Sequence, residues 1–242
     1  MKINVFKNED EVLNGLANYF VDTAAKSIAD HGQFSVALSG GNSPKKLYEL
    51  LASPLYKNRV DWSKVHFFFG DERYVPLTDP QSNYLMAKKA LLEPLDLSYK
   101  QIFPVDTSVS PEEAAKKYTI DINYYFAGVK VRFDLVLLGL GDNSHTASLF
   151  PHTPVLHDKT ASAKEVFLED QQVYRITMTA PLINQAHHIA YLVYGENKAV
   201  AVHHVIEDKK DIENYPAQLI KPADGELQWF MDSPAASLLK NK

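Results

Sequence analysis

Short apolar runs rich in β-branched and aromatic residues recur along the chain. They lie at Ile3–Phe6, Phe34–Leu38, Val65–Phe69, Phe133–Leu138, Glu165–Leu168, Tyr174–Met178 and Ile189–Tyr194. Several do not alternate apolar with polar positions, which is the mark of strands buried on both faces. Helical spacing fills the intervals. Val12, Leu16, Phe20, Ala24 and Ile28 recur every four residues and so share one helix face. Ala114, Tyr118, Ile122 and Phe126 do the same within 111–127, where Ser110 reads as the N-cap and Pro111 as the first helical residue. Buried strands alternating with helices predict an α/β fold: a doubly wound, mostly parallel sheet with helices on both faces, formed by residues 1–242 as one domain. In such sheets ligands bind outside the carboxyl ends of the strands, so the loops that follow the runs are where chemistry belongs.

Composition narrows the setting. The 242 residues are 45% hydrophobic and 23% charged, which is globular composition. A net charge of −5 gives no chain-wide attraction to nucleic acid or to an anionic membrane, so any anion site must be local. The absence of cysteine excludes disulfides, thiolate nucleophiles and Cys-based metal sites. The first ten residues lack the apolar core of a signal peptide, and no apolar run approaches a membrane span. A cytoplasmic setting is the expectation.

Three post-strand segments and two further cations carry candidate chemistry. After Phe34–Leu38 comes Ser39-Gly40-Gly41-Asn42-Ser43-Pro44. Two glycines allow a sharp turn and a close approach to a ligand; Ser43 as N-cap and Pro44 as first helical residue would then open a helix. A glycine turn feeding a helix N-terminus suits a phosphate or carboxylate, although an ordinary βα turn reads the same. After Val65–Phe69 comes Gly70-Asp71-Glu72-Arg73. Three charges at the end of a buried strand need partners or a ligand, and Arg73 offers a planar fork for an anion. The plain alternative is a surface loop whose acids pair with Arg73. Ser82 is a plausible cap for the helix that follows. After Phe133–Leu138 comes Gly139-Leu-Gly141-Asp142-Asn143-Ser144-His145. A histidine a few residues past a strand end stands where an acid/base catalyst would, though a lone histidine is more often structural. Arg175, at the start of a strand-like run, and Lys198, at the start of a helix, complete a set of three cations suited to a phosphorylated ligand.

Other chemistries fail on inspection. The glycine turn lacks the Gly-Lys-Ser/Thr of a P-loop, and Gly139-x-Gly141-x-x-Ser144 lacks the third glycine of a dinucleotide fingerprint. There is no Gly-x-Ser-x-Gly and no His-Glu-x-x-His. The pairs His187-His188 and His203-His204 are adjacent residues that do not face one site together, so a metal site is not expected.

Taken together, Ser39-Gly-Gly-Asn-Ser-Pro44, Gly70-Asp-Glu-Arg-Tyr-Val-Pro76, Ser82-Asn-Tyr84, Gly139-Leu-Gly-Asp-Asn-Ser-His-Thr-Ala-Ser-Leu-Phe-Pro151, Arg175-Ile-Thr and Gly195-x-x-Lys198-Ala resemble the blocks of the 6-phosphogluconolactonase family, in family order. The wider superfamily includes glucosamine-6-phosphate deaminase. The resemblance implies a fold like that of NagB, ribose-5-phosphate isomerase and CoA transferase. It implies hydrolysis of 6-phospho-D-glucono-1,5-lactone to 6-phosphogluconate, with no cofactor and no metal. It implies that Gly40, Gly41, Asn42, Ser43, Arg73, Arg175 and Lys198 surround the phosphate. His145 would be the catalytic acid/base, with Asp71 and Asn143 in the catalytic set, and backbone N–H groups of 139–144 would be candidate oxyanion donors. One departure stands out. The family usually has Asp-Gly-His where this chain has Asn143-Ser144-His145, so the carboxylate two residues before the histidine is replaced by an amide. Whether Asp142, one position off, reaches His145 is open at this point. The expected partner is a small sugar-phosphate lactone, and the expected assembly a monomer or small homo-oligomer. A deaminase/isomerase of sugar phosphates and a non-catalytic sugar-phosphate sensor are the alternative functions.

Overall fold

In the computed structural model, which describes residues 1–127 and 129–240, the chain alternates strands and helices as the pattern predicts. Six strands form one parallel sheet: β1 (Lys2–Phe6), β2 (Phe34–Leu38), β3 (Val65–Phe69), β5 (Leu135–Leu138), β8 (His188–Val193) and β9 (Glu226–Asp232). Their spatial order is β1-β9-β8-β5-β2-β3, and every pairing is parallel. The remaining strands, β4 (Asp71–Arg73), β6 (Ala163–Leu168) and β7 (Val173–Met178), make a separate antiparallel sheet in the order β4-β7-β6. The runs at 165–168 and 174–178 are therefore an antiparallel hairpin and not members of the main sheet.

The period of two along each buried strand builds two cores. Val36, Leu38, Phe67, Phe69, Leu135 and Leu137 face one way, onto α1 (Glu9–His31) and α2 (Asn42–Ala52). Ala37, Phe68, Val136, Leu138, Ile189 and Tyr191 face the other, onto α4 (Pro111–Tyr125) and α6 (Ala199–Ile206). Each core is continuous, so helices cover both faces as expected.

Helix boundaries follow local chemistry. Asn8 caps α1 by accepting from the Glu11 N–H, and Gly32 at φ 84° ends it. Ser110 caps α4, with Pro111 at its first turn. Ser82 caps α3 (Asn83–Ala87) through the Leu85 N–H. The cap of α2 differs from expectation. Gly41, at φ 101°, is the N-cap, and Ser43 and Pro44 lie inside the first turn. α6 starts one residue after Lys198, which is its N-cap.

These choices position a crevice. The strands β8, β5 and β2 are neighbours. The helix after β2 packs in one core, through Leu47, Tyr48 and Leu51, and the helix after β8 packs in the other, through Ala201 and Val202. The connections thus leave to opposite faces on either side of β5, and a cleft opens at the carboxyl ends between them.

Candidate active site

A cavity of about 290 Å³ occupies this cleft. Its floor comes from the ends of β2, β5 and β8, and its wall from β4 and β7. Gly40, Gly41, Asn42, Ser43, Asp71, Arg73, His145, Arg175 and Lys198 all line it, so residues 158 positions apart in sequence meet in one place. Asn143 does not line the cavity and acts from behind the histidine.

The glycine turn is held from within the core. Tyr48 accepts from the Ser39 N–H at 2.9 Å and donates to the Ser39 carbonyl at 2.8 Å. A Cβ on Gly40 would lie 2.0 Å from Asn83 Oδ1, so only glycine fits there. With Gly41 as cap, no capping side chain meets the first N–H groups of α2 among the described residues, and Gly41, Asn42 and Ser43 line the cavity.

The charged trio at 71–73 is a buried strand and not a surface loop. Glu72 is fully buried and serves the fold. Its carboxylate accepts from the N–H groups of Arg73, Asn83 and Tyr84 at 2.7–2.8 Å and from Ser82 Oγ at 3.1 Å. Burial nevertheless raises its pKa from the ordinary carboxylate value. Asp71 faces the cavity, and Ser148 Oγ donates to its Oδ2 at 2.6 Å while Asn83 Nδ2 donates to Oδ1 at 3.3 Å. Asp71 thus acts on His145 by its charge, without a bond to the ring. Ser148 and Asn83 line the cavity and hold Asp71, positions that sequence reasoning passed over; only the motif letters pointed to them.

Arg73 and Arg175 are direct register partners across the β4–β7 pair. Arg73 Nη1 donates to the Gln81 carbonyl at 2.7 Å, but the Nε of each arginine is buried without a partner among the described residues. Burial and the adjacent Arg73 charge both lower the pKa of Arg175. Two like charges side by side with unused buried donors are an arrangement that an anion would relieve. Lys198 is not free in the same sense. Its Nζ lies 2.5 Å from Asp142 Oδ1.

His145 is half-buried. Its Nδ1 donates to Asn143 Oδ1 at 2.5 Å, which fixes the proton there and leaves the Nε2 lone pair free. Asp142 turns away to Lys198 and Asn197, so Asn143 and not Asp142 orients the ring. A Cβ on Gly141 would lie 2.1 Å from the ring's Cε1 and Nδ1. Burial pushes the His145 pKa down to about 4; Asp71 and Asp142 pull it up, and Lys198 and Arg175 push it further down. The imidazole is therefore neutral at pH 7. Two of the expected oxyanion donors are engaged elsewhere: the Gly141 N–H donates to the His145 carbonyl and the Ser144 N–H to the Gly141 carbonyl. No group of metal-ligating side chains is assembled among the described residues, and no helix there is long and apolar enough to cross a membrane.

Known proteins resemble this chain in sequence and fold. The family described as glucosamine-6-phosphate isomerases/6-phosphogluconolactonase matches residues 7–229. A 6-phosphogluconolactonase of Synechocystis sp. is 42% identical over 220 residues, which is 89% of this chain and 88% of that protein. The solved structure of 6-phosphogluconolactonase from Trypanosoma cruzi superposes with a TM-score of 0.87 at 29% identity, covering 99% of this chain and 97% of the other. A monomeric glucosamine-6-phosphate deaminase shares the fold, with a TM-score of 0.85 at 20% identity over 99% of this chain and all of the other. The chain belongs to the glucosamine-6-phosphate isomerase/6-phosphogluconolactonase family.

Proposed function

We propose that this cavity hydrolyses 6-phospho-D-glucono-1,5-lactone to 6-phosphogluconate, with the phosphate on the Arg73–Arg175 pair and the lactone carbonyl at His145. The carrying observation is a pair of arginines, each with a buried guanidinium Nε unpartnered among the described residues, lining the same cavity as a neutral histidine. The open N–H groups after Gly41 and the Gly40–Ser43 turn add further phosphate donors, and Lys198 adds charge once drawn from Asp142.

The chemistry needs little more. His145 Nε2 takes a proton from a water as that water attacks C1. The tetrahedral intermediate collapses by breaking the bond from C1 to the ring oxygen, and the imidazolium returns the proton to that oxygen. The product acid then loses its own proton to solvent. Asp71 stabilises the transient imidazolium by its charge, and Asn143 keeps the ring aligned throughout. Binding energy from the remote phosphate is used for orientation. The reading takes the chain as one catalytic unit in the cytoplasm.

The test is lactone hydrolysis at mildly acidic pH, where the spontaneous reaction is slow. His145→Gln should lower kcat by roughly 10²–10⁴-fold with product binding retained. Arg175→Ala should weaken 6-phosphogluconate and leave non-phosphorylated gluconolactone little affected. Undiminished turnover in His145→Gln, or ammonia released from glucosamine 6-phosphate in place of lactonase activity, would overturn the reading.

A further inference from the structure

The ring of Phe150 lies over the imidazole of His145, with centroids 4.0 Å apart and planes 17° from parallel. Phe150 is itself anchored. It packs against the core of one sheet face. Its carbonyl accepts from the Thr153 N–H at 3.4 Å and Thr153 Oγ1 at 2.6 Å. Pro151 follows it and restricts its backbone to extended conformations. The imidazole is thus confined on three sides: Phe150 over its face, the bare Gly141 against its Nδ1–Cε1 edge, and Asn143 on Nδ1.

We infer that Phe150 is a positioning residue for this reaction: its ring covers one face of the His145 imidazole, keeping water off it and Nε2 aimed into the cavity. The inference rests on the reading of His145 as the base. A base that must be neutral to act gains from a dry, apolar face, because an imidazolium there would lose hydration. The charged groups facing the ring cannot do this work alone. Asp71 on β4 and Asp142 on the same loop favour the imidazolium, while Arg175 on β7 and Lys198 before α6 oppose it. Burial is the largest influence, and the stacked ring is the apolar surface in face-on contact.

The experiment compares Phe150→Leu, which keeps an apolar side chain but removes the flat face, with Phe150→Tyr, which keeps the face. The His145 Cε1–H resonance is titrated by NMR in each, and the pH profile of kcat/KM is recorded. In Phe150→Leu the His145 titration and the acid limb should move up from about 4 toward the ordinary histidine value. The ratio of kcat/KM at pH 5 to that at pH 8 should fall roughly 3–10-fold, with 6-phosphogluconate affinity held within about twofold. Phe150→Tyr should restore the wild-type titration. An unmoved titration in a folded Phe150→Leu, or identical shifts for both variants, overturns the inference. If neither variant folds, the wild-type spectrum still decides, since a stacked ring must shift the His145 Cε1–H upfield and an ordinary position overturns the stack. The NMR titration needs no turnover. It therefore fails independently of the base assignment, which stands or falls with His145→Gln.

Discussion

Lys198 Nζ sits 2.5 Å from Asp142 Oδ1, and Asn197 Nδ2 reaches the same oxygen at 3.3 Å. The cation expected to meet the phosphate is already held by a carboxylate that is 69% exposed. A bound phosphate must compete with it. Removing that competitor should tighten the product. An exposed pair is worth about 0.2–1 kcal/mol, so Asp142→Asn should bind 6-phosphogluconate about 1.5–5-fold more tightly. Calorimetry at low and high salt checks this, since screening should shrink the difference. Weaker binding in the variant would mean that Asp142 positions Lys198 for the phosphate.

Asn143 replaces a carboxylate that the family usually carries, and its Oδ1 is the acceptor of the His145 Nδ1–H. Asn143→Asp puts a negative charge at 2.5 Å from that nitrogen. A neighbouring anion favours the imidazolium, so the His145 pKa should rise from about 4 and the acid limb of kcat/KM should move with it. A limb at its original pH, in a folded variant, would show that position 143 aligns the ring without tuning it.

Ser144 stands where the family usually has glycine, and its φ is 61°. The left-handed region costs a side-chain-bearing residue about 1–2 kcal/mol, part of which glycine gives back through its greater freedom when unfolded. Ser144→Gly should therefore raise stability by about 0.5–1 kcal/mol, read from chemical denaturation. The two bonds of the Ser144 backbone, its N–H to the Gly141 carbonyl and its own carbonyl from the Ala217 N–H, survive the change. Activity should stay near wild type. A loss of stability would show that the Ser144 side chain, which is buried, fills space the loop needs.

The main sheet is legible because five of its six strands coincide with short, mostly apolar runs rich in β-branched and aromatic residues. The sixth, β9, was not read. Its sequence Glu-Leu-Gln-Trp-Phe-Met-Asp has no β-branched residue and a glutamine at its third position, yet all but Glu226 are buried. β4 was missed for the opposite reason: Asp71-Glu72-Arg73 has no apolar residue at all, and only tertiary partners for each charge make it a strand. Every expected site residue except Asn143 lines the cavity, because glycine turns and charges beyond strand ends are local signals. The sequence did not reveal which of the two neighbouring side chains takes which partner. Asp142 and Asn143 are one residue apart, and the turn geometry alone sends one to Lys198 and the other to His145. The hold of Ser148 on Asp71, across 77 positions, is equally invisible without the fold.

The same geometry couples phosphate to base. Lys198 and Arg175 both push the His145 pKa down. A bound phosphate dianion offsets those charges, so the pKa should rise when the site is filled. Ligand also dries the cavity, which acts the other way. Burial is already the largest influence in the free enzyme, so little further drying remains, while the local charge changes by nearly two units. The acid limb of kcat/KM reports the free enzyme and that of kcat the complex, so the kcat limb should lie at higher pH. The substrate's own phosphate titrates near 6 and also enters kcat/KM. Non-phosphorylated gluconolactone is the control, and with it the two limbs should coincide. A kcat limb at or below the kcat/KM limb, with the phosphorylated lactone, would mean that the phosphate sits too far from His145 to be felt, and would move it off the Arg175–Lys198 side of the cavity.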